Sequence, residues 1–280
     1  MEPSDSARYC LDQLREHDHD RYLAALFLPA ESRGHAVAIQ AFNLEIARTR
    51  EIVSEPLLGQ IRLQWWRETV EGIYAGTPRE HPVVAALRDA CEAREIARED
   101  LFALIDARED DLDDAPPRDL AALEEYAEKT SGRLTSLVMS IVGGGADTAR
   151  AAALDVGAAW SLVGLARSVA FHARSQRLYI PEELLTAYEV ERRRLFDLKP
   201  SEALNGAVRR MVERGEERLA RARALQADLS RAERRALLLA TLADRHIARM
   251  RAAGFDPFAF REEPAPAALR LLWASMRGRY

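Results

Sequence analysis

The sequence predicts an all-α chain, and three observations carry that expectation. Apolar residues recur at three- and four-residue spacing almost throughout, no stretch alternates apolar and polar residues long enough to ask for a strand, and prolines stand where helices would start. The chain has 280 residues, 48% hydrophobic and 30% charged. That is enough to bury a substantial core, and the composition is neither that of a disordered tail nor that of a membrane protein. With no repeat and no linker, residues 1–280 read as one domain.

Taken in order, the N-terminal MEPSDSARYC starts acidic and has neither a basic nor an apolar stretch, so it reads as neither a secretory signal nor a transit peptide. After Pro29, Val37, Ala38, Ala41, Leu44 and Thr49 or Arg48 can share one face of a helix expected over 30–52. Ser54, Glu55 and Pro56 start the next, in which Leu58, Ile61, Trp65, Thr69 and Ile73 recur until Gly76 stops it. On that stripe Trp65 belongs to the core, rather than to a stacking platform of Trp65 and Trp66 with Arg62 and Arg67. Pro82 opens a third helix, Pro116 and Pro117 break an acidic run, and 119–142 is helical up to a loop at Gly143, Gly144 and Gly145. From 147 to about 173 runs a long helix whose charge-poor middle, AALDVGAAWSLVGLA, predicts burial all round. Gly157 and Gly164 each cost it about 1 kcal/mol of helix propensity, which predicts close approach of neighbouring backbones. Short and long helices follow Pro181 and Pro200, and 231–252 and 264–278 complete the set. The longest apolar runs, such as 236–243, fall short of the ~20 residues a bilayer-crossing helix needs.

Charge excludes further classes. Acids outnumber bases 45 to 40 for a net charge of −5, and the arginines are interleaved with Asp and Glu, so no nucleic-acid partner is expected. Cys10 and Cys91 stand alone without CxxC spacing, which fits a reducing, cytoplasmic compartment. The chain lacks GxGxxG, the P-loop, GxSxG and HExxH. His17 and His19, with Asp18 and Asp20, read as an exposed turn. Asp106 and Asp110, at i and i+4 of an expected helix, have the spacing to share Mg²⁺, but the run reads as a solvated helix end. Phe255, Pro257, Phe258, Phe260 and Trp273 read as ordinary packing rather than an exposed patch.

Several stretches together resemble the squalene and phytoene synthase superfamily, whose members join two prenyl diphosphates head to head. They are YCLDQLREHDHDRYLAALFLPAESRGHAVAIQAF from Tyr9, HPVVAALRDA, LFALIDAREDDL, YAEKTSGRL and, best matched, VGAAWSLVGLARSVAFHARSQRLYIP over 156–181. The resemblance implies an isoprenoid-synthase-type helical bundle around a central cavity, with two facing aspartate-rich motifs that hold Mg²⁺ against diphosphate. This chain departs at those motifs. AFNLEIARTRE supplies Ala47, Arg48 and Glu51 where the first is expected, and LVGLARSVAFH supplies Gly164, Ser168 and His172 at the second.

That substitution predicts a pocket without catalytic residues, metal or cofactor, in which Glu45, Arg48, Glu51, Gly164, Arg167, Ser168, His172, Arg174 and Tyr179 are the candidate pocket and anion-binding residues. Guanidinium groups there can meet phosphate or carboxylate bidentately, or Glu45 and Glu51 can neutralise them as a buried ion-pair network. The segment AFNLEIARTREIVSEPLLGQIRLQWWRETVEGIY resembles the branch of the mitochondrial complex I assembly factor and its bacterial relatives more closely than it resembles the enzymes. That resemblance implies a role in respiratory-complex assembly through a protein or lipid-like (prenyl) ligand, the chain being either soluble or peripherally associated with the inner membrane. The enzymatic alternative is a Mg²⁺-dependent head-to-head prenyl transferase, with Glu45, Glu51, Asp106, Asp110 and Asp111 as suppliers of metal ligands. A collapsed pocket filled by Trp160 and Phe171 is the third reading.

Overall fold

Residues 4–53, 55–260 and 267–280 are described by a computed structural model. Among them every regular element is a helix, as the spacing predicts, and no strand forms. The helix Asp147–Arg167 is central. It packs against Glu202–Ala224, Leu239–Ala252 and Arg133–Ile141, and its small apolar middle, Val156, Gly157, Ala158, Ala159 and Trp160, is buried. This helix is long and apolar enough to cross a bilayer, yet 61% of the stretch is buried inside the protein, as in a core helix.

Gly157 is where the predicted close approach occurs: a Cβ there would sit 2.2 Å from the Ser131 carbonyl oxygen and 2.7 Å from the Gly132 Cα. Gly164 departs from that expectation, because nothing stands within 4 Å of the place its Cβ would take. It borders open space, and backbone crowding does not explain it.

A second group of helices forms around Ala30–Ala47, which packs on Asp5–His17, Pro82–Arg94 and Arg133–Ile141. Phe42 from this helix meets Trp66 edge-on at 5.4 Å, both fully buried. The expectation for Trp65 is overturned, since Trp66 is 1% exposed and Trp65 37%. The helix Pro56–Tyr74 carries two apolar stripes at helical spacing. Leu63, Trp66, Val70 and Ile73 face the core, whereas Leu58, Ile61 and Trp65 lie outside. Periodicity alone cannot choose between stripes of equal period.

Two expected helices are interrupted. The one over 30–52 stops at Ala47, and Arg48 turns with φ −81° and ψ 1° before the short segment Thr49–Ile52. The Glu45 carbonyl at the loosened end accepts from Arg62 at 3.3 Å. The helix over 147–173 turns likewise at Ser168, with φ −90° and ψ 8°, before Val169–Arg174. Neither turn holds Gly or Pro, so the sequence carries no stop signal there. Over 119–142 the helix is continuous but contains a π-helical turn, Glu128–Gly132, between Leu120–Ala127 and Arg133–Ile141. The triple glycine closes it, with Gly143 at φ 99°. Around this rod Arg218 donates to Glu124, to Glu128 and, at 2.8 Å, to Asp155, binding three helical segments through one guanidinium fork.

The acidic run also differs from expectation. The helix Arg98–Asp106 ends at Asp106, and Asp110–Leu112 is a separate 3₁₀ turn, so Asp106 and Asp110 share no helix face. Asp106 pairs with Arg67 at 2.7 Å near the surface. Phe255 is buried and Phe258 and Phe260 pack against the core, as expected, but Trp273 is solvent-exposed. Phe171 is exposed, so it does not fill a central pocket, whereas Trp160 is buried. Ser54 and 264–266 lie outside the described residues.

Candidate functional site

The 3₁₀ turn Asp110–Leu112 swings Asp111 inward, and this buried carboxylate becomes a hub. Its Oδ1 accepts from the hydroxyls of Tyr126 at 2.7 Å and Tyr179 at 2.9 Å, and its Oδ2 from Arg108 at 3.3 Å. Arg108 also reaches the Tyr126 hydroxyl at 3.1 Å and Asn43 Oδ1 at 3.3 Å, and Arg177 donates to the Asp111 carbonyl. Burial, together with the negative charge of Asp111, pushes the pKa of both tyrosines above the ordinary phenol range. Both therefore remain donors at any physiological pH, and the lone pairs of Asp111 facing the protein are taken.

His172 packs on Tyr179 with ring centroids 4.7 Å apart. Burial, reinforced by the Arg177 charge, lowers its pKa to about 4, so the imidazole is neutral at pH 7. The unfolded chain takes up this proton near pH 6.5 and the folded chain does not, so stability is full above pH 6.5 and falls as pH drops from there toward 4. Wild type is expected to lose on the order of 2–3 kcal/mol more than His172→Gln between pH 7 and pH 4 in urea titrations. Parallel losses in the two proteins would contradict this.

The remaining candidate residues fall into separate groups. His246 Nε2 donates to the Asp20 carboxylate at 2.8 Å, and the Arg167 guanidinium lies 2.9 Å from that nitrogen and 3.6 Å from Asp20. Burial alone would raise the Asp20 pKa, but His246, Arg167 and Arg245 bring it below the usual carboxylate range. Arg21, beside this group, stacks on Trp160 at 5.9 Å and donates to Ser131 at 2.7 Å. Glu45 is held by Arg62 at 2.7 Å, and Arg48 lies 3.8 Å from Glu51. Ser168 sits in the helix turn, and Arg174 is exposed. Of the candidate residues, His172 and Tyr179 are thus brought together, whereas Arg167 belongs to the Asp20 and His246 group and Glu45 to a groove.

That groove has a volume of about 530 Å³ and is lined by Glu45, Ile52, Leu58, Ile61, Trp65 and His81 among others. It is the size of a small-ligand site and mostly apolar. Sequence reasoning missed Asp20, Arg108, Tyr126 and His246 as site residues. Asp20 sat in a polar stretch that read as an exposed turn, and His246 is a lone histidine with no spacing signal. Tyr126, at the head of the matched YAEKTSGRL, carried the one usable clue.

With this arrangement in view, comparison with known proteins is decisive for family. The squalene/phytoene synthase family model matches residues 14–273. The chain belongs to the squalene/phytoene synthase family. It is 37% identical over 187 residues to the bovine (Bos taurus) NADH dehydrogenase (ubiquinone) complex I assembly factor 6, covering 67% of this chain and 56% of that protein. Thus the chain spans little more than half the length of this curated relative. A phytoene synthase of Thermus thermophilus is 32% identical over 194 residues, covering 68% of this chain and 64% of that one. A crystal structure of a dehydrosqualene synthase with bound ligand superposes with a TM-score of 0.84 at 17% identity, covering 97% of this chain and 95% of that one. This last likeness confirms the isoprenoid-synthase fold.

The family's magnesium does not fit this chain. The positions that the resemblance gives to the motifs hold Ala47, Arg48, Gly164, Ser168 and His172, which offer no carboxylate oxygen, and Glu51, which lies beside Arg48. The other carboxylates are dispersed: Glu45 on Arg62, Asp106 on Arg67, and Asp111 on its tyrosines and Arg108. Among the described residues no three His, Cys, Asp or Glu side chains gather to hold a metal ion.

Proposed function

We propose that this chain is a catalytically silent member of the family that assists assembly of a respiratory complex I, binding a protein or lipid-like anion in place of two prenyl diphosphates. The observation that carries this reading is that, inside a retained fold, the positions that resemble the two motifs keep a single carboxylate, Glu51, and it lies beside Arg48. The relative named as a complex I assembly factor supports it. The open space at Gly164 and the apolar groove beside Glu45 are places for a ligand of that kind.

The test has two arms. Purified protein given Mg²⁺ with farnesyl or geranylgeranyl diphosphate is expected to release no pyrophosphate, and deletion of the gene is expected to lower the amount of assembled complex I on native gels. Sustained pyrophosphate release, or unchanged complex I, would overturn the proposal.

A further inference from the structure

The helix Ala267–Arg277 docks through one narrow face, burying Ala267, Leu271, Ala274 and Ser275. Its opposite face is apolar too: Leu269, Leu272, Trp273 and Met276 recur at three- and four-residue steps and are 63%, 46%, 54% and 61% exposed. At 100° per residue these four fall within one stripe pointing away from the protein. A helix buried on one side has no packing reason to carry Leu, Trp and Met on the other.

Charge accompanies the stripe. Arg270, Arg277 and Arg279 line a cleft of about 350 Å³ with Thr241, Trp273 and Tyr280, and among the described residues its lining contains no acid. Arg277 stacks on the Trp273 ring at 3.6 Å. Arg234 and Arg235 approach from below, bonding the Gly278 carbonyl and the Ser275 hydroxyl. The neighbouring acid, Asp244, is occupied by Arg223. Glu262 and Glu263 lie outside the described residues. A chain of net charge −5 thus presents, along 267–280, three arginines and no acid.

We infer that this face lies on a bilayer of anionic phospholipid, with Leu269, Leu272, Trp273 and Met276 entering the acyl boundary and Arg270, Arg277 and Arg279 taking the phosphate headgroups. Apolar Leu and Trp beside a basic flank is the pattern of helices that rest in the membrane interface. Tryptophan suits that depth, and phosphate matches the guanidinium fork. The sign of the charge selects the lipid: a zwitterionic surface has no net negative potential to attract three arginines, whereas an anionic one does. This inference takes up one of the two locations left open with the family resemblance, and it can fail while the assembly role stands, because complex I level and vesicle binding are read separately.

The test is sedimentation of the full chain with vesicles of phosphatidylcholine alone or mixed with phosphatidylglycerol. Binding is expected to the mixed vesicles only, and to fall as salt rises. The outward double variant Leu272→Asp/Met276→Asp is expected to lose binding with its melting temperature unchanged. The triple variant Arg270→Gln/Arg277→Gln/Arg279→Gln is expected to bind roughly a hundredfold more weakly. A blue shift of tryptophan emission on adding mixed vesicles is expected to vanish in Trp273→Phe. Equal binding to both vesicles, no binding to either, or undiminished binding by the aspartate variant would overturn the inference. So would a protein partner lost on the same substitutions without any vesicle binding.

Discussion

Asp111→Ala is expected to destabilise the protein by about 3–5 kcal/mol, read as a large fall in the urea unfolding midpoint. Removing the carboxylate leaves the Arg108 guanidinium buried with its counter-charge gone, the costly way to break a buried ion pair. It also leaves the hydroxyls of Tyr126 and Tyr179 without their acceptor. Asp111→Asn keeps an acceptor oxygen and is expected to lose less. A loss below about 1 kcal/mol for the alanine variant would mean that the hub contributes little and the three donors find water instead.

The second large effect sets two glycines of one helix against each other. Gly157→Ala is expected to cost about 3 kcal/mol or more, because the new methyl would meet the Ser131 carbonyl and the Gly132 Cα, backbone atoms that cannot swing aside. Gly164→Ala is expected to stabilise by about 0.5–1 kcal/mol, since its methyl enters open space and the helix sheds a glycine. Thermal unfolding of the two variants should move in opposite directions. If both melted lower, the space beside Gly164 would have to be filled.

Much of the fold is legible in the sequence itself. Helix identity followed from spacing, and the starts at Pro56 and Pro82 and the stop before Gly76 from local backbone chemistry. The departure from the resembled motifs is likewise a reading of the sequence alone, in which Ala47, Arg48, Gly164 and Ser168 stand between neighbours that keep the family's spacing. What could not be read was which of two equal stripes faces inward, as with Trp65 and Trp66, and which glycine is crowded. Both depend on a partner helix far away in sequence. The breaks at Arg48 and Ser168 were hidden for a similar reason, since no breaker residue stands at either turn. Of the candidate site, membership by residue type was visible, but the Asp111 hub required the 3₁₀ turn that separates it from Asp106. The pairing of Asp20 with His246 spans nearly the whole chain.

The π-helical turn at Glu128–Gly132 has a consequence for how one rod serves two neighbours. An extra residue in a single turn advances everything after it by about 100° around the axis. Glu124 and Glu128 thereby address Arg218, while the Ser131 hydroxyl engages Arg21 and its carbonyl crowds Gly157. Beyond the turn the same rod presents its following residues to Ala30–Ala47. It works as a crank with two throws out of phase, so a uniform α-helix of the same length would seat one half and misalign the other.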